Sequence, residues 1–458
     1  MMKRFLSRLV VLILFLQLNN VPVYCETIAG KSTEPPMIKS ESVVLTDQKT
    51  GKVLYEKDSH KRLYPASITK ILTALLIIDN IDLNETITVG KEINLVAHDA
   101  SDAGLTVGEK LLGQDLIWAL MLPSGNDSAY TAAVTIANKK TGNASMGIQD
   151  AVKYFSDMMN KRALDIGAKE SNFVNPDGYP DDNHYSTAYD LALIAGEAMK
   201  NAFFKEVVGT YAYTAKDETS SQSSVKSKKG PPAWYNKNQL INKKSKYYYM
   251  YATGIKTGST SLAGYCLASS ASKNDMGLLA IVLKAGNEDA RLVDSKNLFE
   301  YGFSNFKYHT LLQKGEAISS VKVVRKYFGD VKSLDVITDK DFTDILADSE
   351  ISGIKKDILW NEKLVLPDGN KTGDIKLQGP IKSGQVLGKL SIALNGKILV
   401  ESDLLAAGDA LKGDFADKMV GLLDQIIKFR YIILVCAAIA ILAVIALKVR
   451  GAGRRKSQ

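Results

Sequence analysis

Three short groups of residues along this chain carry side chains that could perform acyl transfer together. They are Ser67 with Lys70, Ser124 with Asn126, and the consecutive Lys256, Thr257 and Gly258. A spacing of three residues on a helix places Ser67 and Lys70 on the same face, one turn apart. Because a serine hydroxyl needs an adjacent base to become a good nucleophile, the pair predicts Ser67 as nucleophile and Lys70 as its general base.

Lys70 can accept a proton only if part of its population is neutral at the working pH. An unperturbed lysine has a pKa of roughly 10.4 and is almost fully protonated near neutrality. The apolar run at residues 71–78 predicts a buried helix, and burial beside another cation favours the neutral form. Lys256 is the cation that the sequence offers. A helix start at Ser67 also brings backbone N–H groups towards developing negative charge.

Each motif alone is weak, because similar groups recur elsewhere. Ser270 and Lys273 repeat the first spacing, and a second Lys-Thr-Gly occupies residues 371–373. Context separates the first set. Ser67 follows Pro-Ala and opens the apolar run, and Lys256 precedes a strand-like pattern at residues 263–268. The second Lys-Thr-Gly follows Leu-Pro-Asp-Gly-Asn, which is typical of a turn.

With these flanks, the ordered motifs resemble those of the low-molecular-mass penicillin-binding proteins, the serine-type D-alanyl-D-alanine carboxypeptidases. The similarity runs from about residue 43 to about residue 407. It includes Asn-Pro-Asp-Gly at residues 175–178, His-Tyr-Ser-Thr-Ala at 184–188 and Asn-Lys-Asn-Gln-Leu at 236–240. The chain departs from the family at Asp177, where His is common, and at Ser259, where His or Phe is common. These departures bear on substrate preference, not on the chemistry.

The resemblance implies roles for further residues. Ser124 is expected to relay a proton towards the leaving amine, and Asn126 to position Lys70 and the substrate amide. The backbone N–H groups of Ser67 and Ser259 are expected to form the oxyanion hole. Arg291 matches a family arginine that helps to hold the substrate's terminal carboxylate, a task that suits a guanidinium.

Lys256 and Thr257 also suit a carboxylate, because they combine a positive charge with a hydroxyl donor on one strand. Gly258 would let substrate backbone approach that strand closely. His184 is expected to be structural rather than catalytic. The sequence has no cluster with metal-ligand spacing and no Gly-rich phosphate loop, so neither a metal nor another cofactor is expected.

The resemblance implies the α/β (α+β) penicillin-recognising serine transferase/hydrolase fold with a helical subdomain. Strand patterns at residues 43–54, 265–271 and 277–283 and helical patterns at 111–202 agree with it. We expect a catalytic domain over residues 42–308, and short alternating runs predict a small all-β domain over 309–405. The polar stretch at residues 215–230 predicts a surface loop.

Both ends of the chain carry membrane signals. A basic start followed by a short apolar core predicts a signal peptide over residues 1–25, then a linker over 26–41. Residues 431–449 predict a C-terminal transmembrane helix, and the basic tail at 450–458 places that end in the cytoplasm. Residues 406–430 predict an amphipathic juxtamembrane segment, with a helix simply continuous with the span as the alternative. The catalytic body is then extracytoplasmic.

The formal net charge of +8 arises partly from these termini, and export excludes nucleic acid as an expected partner. Cys25 lies in the signal and Cys436 in the span, which leaves Cys266 alone in the folded body and no internal disulfide.

The predicted function is therefore that of a carboxypeptidase that removes the terminal D-alanine from peptidoglycan pentapeptide stems through an acyl-enzyme on Ser67. β-Lactam antibiotics are its expected covalent inhibitors. The alternatives are a peptidoglycan DD-endopeptidase, a β-lactamase, and a non-catalytic penicillin-binding sensor. No Glu-x-x-Leu-Asn pattern lies between Ser124 and Lys256, which argues against the β-lactamase. The intact Ser67, Lys70 and Ser124 argue against the sensor.

Overall fold

The computed structural model describes residues 34–215, 233–325, 331–366, 375–410 and 415–454. The chain forms two compact units, Met1–Lys307 and Tyr308–Gln458. Five predicted segments lie wholly or partly outside the described residues: the signal peptide, the first half of the linker, nearly all of the polar stretch at 215–230, the second Lys-Thr-Gly and the last residues of the tail.

The elements of the first unit follow one another in this order: β1 (Ser42–Asp47), β2 (Val53–Lys57), a 3₁₀ turn (Ala66–Thr69), α1 (Lys70–Asn80), β3 (Thr86–Thr88), a second 3₁₀ turn (Lys91–Leu95), β4 (Lys110–Leu112), α2 (Gly113–Met121), α3 (Asn126–Thr141), α4 (Ile148–Ile166), α5 (Ala188–Ala198), α6 (Ala202–Gly209), β5 (Ala212–Thr214), β6 (Ala233–Tyr235), β7 (Ala252–Thr260), β8 (Gly264–Lys273), β9 (Met276–Ala285) and α7 (Glu288–Asn305).

An antiparallel sheet with the strand order β2-β1-β9-β8-β7 forms the frame of this unit. The inner strands of this sheet are buried over most of their length, because α5 packs on β1 and β9 and α7 packs on β8 and β9. β7 is an edge strand of this sheet. One side of the β7 backbone is therefore available to an extended peptide.

The helical part is built around α1, whose first eight residues are all buried. A helix that is apolar on every face must be surrounded by other elements, and α1 contacts α2, α3, α4 and α5. Because this helix is buried, Lys70, its first residue, is buried as well. The predicted helical region over residues 111–202 corresponds to α2 through α5.

The second unit is built from strands: β10 (Phe306–Leu312), β11 (Ala317–Arg325), β12 (Val331–Thr338), β13 (Phe342–Ala347), β14 (Ile354–Trp360), β15 (Lys376–Gly379), β16 (Val386–Leu394) and β17 (Lys397–Ala406). One sheet has the order β14-β16-β17-β12-β11-β15, and β10 pairs with β13. Alternate positions such as Val321 and Val323, or Leu390 and Ile392, face a common apolar core. This agrees with the alternating pattern in the sequence.

The chain ends in α8 (Phe415–Arg454), a single continuous helix. Its segment Gln425–Ile445 is long and apolar enough to cross a membrane, and none of it is buried within the protein. The stretch expected to be amphipathic and the predicted span thus share one helix.

Candidate active site

Ser67 and Lys70 lie together at the point where the 3₁₀ turn joins α1. Lys70 Nζ is 3.0 Å from Ser67 Oγ, and Lys70 is fully buried whereas Ser67 is partly exposed. The nucleophile can therefore meet a substrate while its base remains shielded from water.

Two further oxygen atoms fix the lysine nitrogen. Lys70 Nζ donates to Asn126 Oδ1 at 2.6 Å and to the carbonyl oxygen of Asp177 at 2.9 Å. In the neutral amine, these two acceptors use both N–H groups and leave the lone pair for the Ser67 hydroxyl. The arrangement thus orients the base towards its proton donor.

Burial changes the basicity of this lysine. Loss of water around the ammonium lowers the pKa of Lys70 to about 8; the carboxylates of Asp177 and Asp127 oppose this shift, and the positive charge of Lys237 adds to it. The neutral form required of a general base is therefore far more abundant near neutral pH than in an ordinary lysine.

The Ser-Gly-Asn segment forms another wall. Ser124 is buried with a backbone φ of +69°, a conformation that a non-glycine residue adopts at some cost. Asn126 begins α3, and a Cβ on Gly125 would lie 2.7 Å from the carbonyl oxygen of Ala119. Close packing on α2 therefore holds this turn and points Ser124 into the cleft.

The Lys-Thr-Gly segment lies on the edge strand β7. Lys256 is almost fully buried, and its Nζ donates to the carbonyl oxygen of Thr257 at 2.9 Å. Burial, together with the charges of Lys70, Lys237 and Arg291, holds the pKa of Lys256 well below its ordinary value. Its positive charge is thus not permanent in the free protein.

A glycine is needed at position 258 for packing against the turn that carries Ser67, as well as for the approach of substrate to β7. A Cβ at this position would lie 3.0 Å from the Ser67 backbone nitrogen and 3.1 Å from Ala66 Cβ. Such distances are tighter than ordinary carbon contacts, so the strand can approach the turn that carries the nucleophile only because residue 258 has no side chain. Ser259, the next residue, is exposed on the cleft.

Arg291 lies in α7 and is engaged mainly with the backbone. One terminal nitrogen donates to the carbonyl oxygens of Gly258 at 3.0 Å and Cys266 at 3.3 Å, while the other donates to Glu288 Oε1 at 2.7 Å. Its Nε is buried without a partner. This side chain braces β7 against α7 and also reaches the cleft.

A cleft of about 250 Å³ joins these parts: it is lined by Ser67, Ser124, Thr257, Gly258, Ser259 and Arg291, and also by Ser101, Lys237, Gln239, Tyr265 and Glu288. The second group was not among the predicted site residues. Lys237 Nζ donates to Ser101 Oγ at 2.7 Å across the rim. The Asn-Lys-Asn-Gln-Leu segment was the available signal for Lys237 and Gln239; Ser101 and Glu288 had none.

His184 is buried behind the site. Its Nε2 lies 2.9 Å from Thr69 Oγ1, and its Nδ1 accepts from the backbone N–H of Val174 at 3.3 Å. Burial lowers the pKa of His184 to about 4, so the ring is neutral at physiological pH. These contacts tie the loop of residues 174–184 to the start of α1, which favours a structural role.

Two family models match the chain along most of its length. The model described as D-alanyl-D-alanine carboxypeptidase, peptidase S11, matches residues 29–287, and that of the penicillin-binding protein 5 C-terminal domain matches residues 306–411. The predicted fold class is confirmed by both matches.

Curated relatives and solved structures agree. D-alanyl-D-alanine carboxypeptidase DacF of Bacillus subtilis is 30% identical over 419 residues, 90% of this chain and 96% of the relative. DacA of Haemophilus influenzae is 30% identical over 82% of this chain and 86% of its own length. The crystal structure of penicillin-binding protein 5 from H. influenzae matches with a TM-score of 0.58 and 28% identity, covering 82% of this chain and 98% of that one. The Streptomyces K15 DD-transpeptidase matches with a TM-score of 0.52 and 33% identity over 59% of this chain and 99% of its own.

The first family model alone covers more than half of the residues, and its match contains Ser67, Ser124 and Lys256. The chain therefore belongs to the D-alanyl-D-alanine carboxypeptidase family, peptidase S11.

Proposed function

We propose that this protein is a serine-type D-alanyl-D-alanine carboxypeptidase that removes the terminal D-alanine from peptidoglycan stem peptides. The observation that carries the proposal is the 3.0 Å contact between a partly exposed Ser67 hydroxyl and a fully buried lysine nitrogen, at the base of a cleft lined by Ser124 and Thr257. Membership of the family adds the substrate class.

Acylation begins when neutral Lys70 takes the proton of Ser67. The serine oxygen attacks the carbonyl carbon of the penultimate D-alanine, and backbone N–H groups of Ser67 and Ser259 receive the developing oxyanion. Protonated Lys70 then returns this proton, by way of Ser124, to the departing amine as the peptide C–N bond breaks. The products of this step are free D-alanine and an ester on Ser67.

Water completes the cycle by attacking the ester. It gives up one proton to Lys70 and adds its hydroxyl to the acyl carbon. Lys70 then passes that proton to Ser67 Oγ as the ester bond breaks and the shortened peptide leaves. Glu288 is the carboxylate lining the cleft in the described part of the chain, and it is paired with Arg291. This does not favour a β-lactamase, which needs a carboxylate free to activate water against a stable acyl-enzyme.

The edge strand defines how a peptide would lie. If its terminal carboxylate sits by Lys256 and Thr257 while its scissile carbonyl meets Ser67, the rest of the peptide runs along β7 towards Thr260, antiparallel to the strand. The carboxylate charge would favour the protonated form of Lys256. Substrate binding and protonation of this lysine are therefore coupled.

The reaction is tested with a fluorescent penicillin and with a D-Ala-D-Ala peptide. Ser67 should carry the label on its tryptic peptide, and Ser67→Ala should lose both labelling and peptide turnover, the latter by roughly a millionfold. Mass analysis of wall products separates the remaining candidates: release of one D-alanine supports the carboxypeptidase, and cleaved cross-links support the endopeptidase. Label on another serine would refute the assignment.

We also propose that Gln425–Ile445 anchors the protein in the cytoplasmic membrane, with the catalytic body outside. Its apolar length and the basic residues that follow support this orientation. Protease added to intact spheroplasts should release the body and leave the tail protected. Digestion of the tail from outside would contradict the topology.

A further inference from the structure

A second pocket, of about 350 Å³, opens beside the catalytic cleft. Its walls include Arg62, Tyr64, Asp182, Tyr185, Leu262 and Lys284. None of these residues lines the cleft itself, and the mechanism above does not use them.

The chain places this pocket next to the nucleophile. Arg62 and Tyr64 precede Ser67 by five and three residues, and Leu262 follows the last residue of β7 by two. Tyr265, on the far side of the same turn, lines the cleft. The turn after β7 thus has the catalytic cleft on one side and this pocket on the other.

The direction of the bound peptide leads to the same place. A peptide antiparallel to β7, with its carboxylate by Lys256, continues towards Thr260 and the turn that contains Leu262. Two residues of strand, about 7 Å at roughly 3.3 Å per residue, lead from Gly258 to Thr260, and Leu262 lies in the turn that follows. A peptide in this orientation therefore approaches the turn, and the pocket that Leu262 lines, with residues that precede its scissile bond.

Two basic side chains, Arg62 and Lys284, and one carboxylate, Asp182, line the pocket, so positive charge is in excess among its walls. Lys284 already pairs with Glu41 at 3.0 Å, and Asp182 accepts from the Tyr64 hydroxyl at 3.3 Å. The Arg62 guanidinium lies 4.7 Å above the Tyr185 ring. Within the described residues it forms no ion pair.

The contact with the Tyr185 ring does not use the guanidinium N–H groups as ion-pair donors, so they can bind a ligand, and such a fork suits a carboxylate. Tyr64 and the exposed Leu262 supply apolar surface for the methylene groups of an amino acid side chain. A carboxylate on a short aliphatic chain matches both features.

We propose that this pocket is an upstream subsite that binds a carboxylate-bearing residue of the stem peptide, with Arg62 as the ligand of that carboxylate. The proposal rests on the proposed function, since it takes the same peptide as substrate. The carboxylate could belong to a γ-linked D-glutamate or to the side chain of a diamino acid nearer the scissile bond, and the two sources are separable by synthesis.

The test compares kcat/KM for four peptides ending in D-Ala-D-Ala, with the full-length protein in detergent. The first is neutral diacetyl-L-lysyl-D-Ala-D-Ala. The second extends this peptide with a γ-linked D-glutamate, and the third carries the uncharged α-amide of that glutamate instead. The fourth carries diaminopimelate at the third position. The wild type should prefer one acidic peptide over its neutral counterpart by about five- to tenfold, as expected for a charge-assisted hydrogen bond at a partly exposed site. Which acidic peptide is preferred identifies the source.

Arg62→Gln should abolish that preference and leave kcat/KM for the neutral peptide and acylation by penicillin unchanged. Lys61→Gln is the matched control: it removes the same charge one residue away, from a side chain that pairs with Glu41 and does not line the pocket. It should keep the preference.

Three results would overturn the subsite while leaving the carboxypeptidase intact. The first is equal turnover of acidic and neutral peptides by the wild type. The second is an Arg62→Gln variant that keeps the preference, and the third is an Arg62→Gln variant that slows all substrates and penicillin alike. Absence of turnover with every peptide in the wild type would instead overturn the proposed function, and the subsite with it.

Discussion

The basicity of Lys70 gives the sharpest test of the site, because two neighbouring charges should shift it in opposite directions. With a pKa of about 8, about 9% of Lys70 is neutral at pH 7, against about 0.03% for an ordinary lysine, a gain of roughly 300-fold in available base. Acylation should therefore rise about tenfold between pH 7 and pH 9 and level off above that.

The charges around Lys70 set the expected shifts. The Asp177 carboxylate favours the charged lysine, so Asp177→Asn should lower the pKa of Lys70 and move the acid limb of the pH profile downwards, by up to about one unit. The Lys237 charge disfavours the charged lysine, so Lys237→Gln should move the limb upwards. The second shift should be smaller and should weaken with salt, because Lys237 is exposed.

The assay is the second-order rate constant for acylation by a fluorescent penicillin, measured from pH 6 to pH 10 at fixed ionic strength. The pH at which the acylation rate reaches half of its plateau reports the pKa of Lys70. The height of the plateau, in contrast, also depends on how Lys237 affects binding of the penicillin. Asp157→Asn makes the same charge change on the exposed face of α4 and should leave the limb in place. A limb near 10.5, no limb, or shifts of the two variants in one direction would refute the assignment of Lys70 as the base.

Three further predictions follow from the geometry. Gly258→Ala should lower acylation by one to two orders of magnitude with little change in the thermal midpoint, because its Cβ would press on the Ser67 backbone nitrogen at 3.0 Å; an unchanged acylation rate would contradict this. Lys256→Ala should impair acylation by peptide and by penicillin alike, by roughly 2–5 kcal/mol in the barrier; unaltered rates in stopped-flow measurements would exclude a carboxylate-binding role. Truncation after Ala410, which removes α8, should release an active catalytic body into the soluble fraction; continued sedimentation with membranes would show a second means of attachment.

The sequence predicted those parts of the site that depend on local spacing. Ser67 and Lys70 are separated by one helical turn, so their contact follows from the period of the helix. The apolar run after Lys70 likewise predicted burial of α1, and burial is the first cause of the lowered pKa of Lys70.

Contacts between distant segments could not be derived in the same way. The carbonyl of Asp177 reaches Lys70 across 107 residues of chain, and a backbone acceptor leaves no trace in residue type. Lys237 and Ser101 meet only because separate loops form one rim. Arg291 was expected to hold a substrate carboxylate, and its bonds to two carbonyl oxygens depend on how α7 packs against β7 and β8.

Four basic side chains, Lys70, Lys237, Lys256 and Arg291, lie around the catalytic cleft. The charge of Lys237 lowers the pKa of Lys70, and the charges of Lys70, Lys237 and Arg291 lower the pKa of Lys256. Burial is the first cause of the lowered pKa of both buried lysines, and the neighbouring positive charges add to it. A peptide carboxylate supplies the missing negative charge, so it should be bound most tightly when Lys256 is protonated. Lys70 must meanwhile stay neutral to accept the proton of Ser67. The site therefore requires two buried lysines in opposite states. The hydrogen-bond acceptors of Lys70 and Lys256 do not by themselves favour a neutral Lys70, so the asymmetry has to come from the peptide carboxylate beside Lys256.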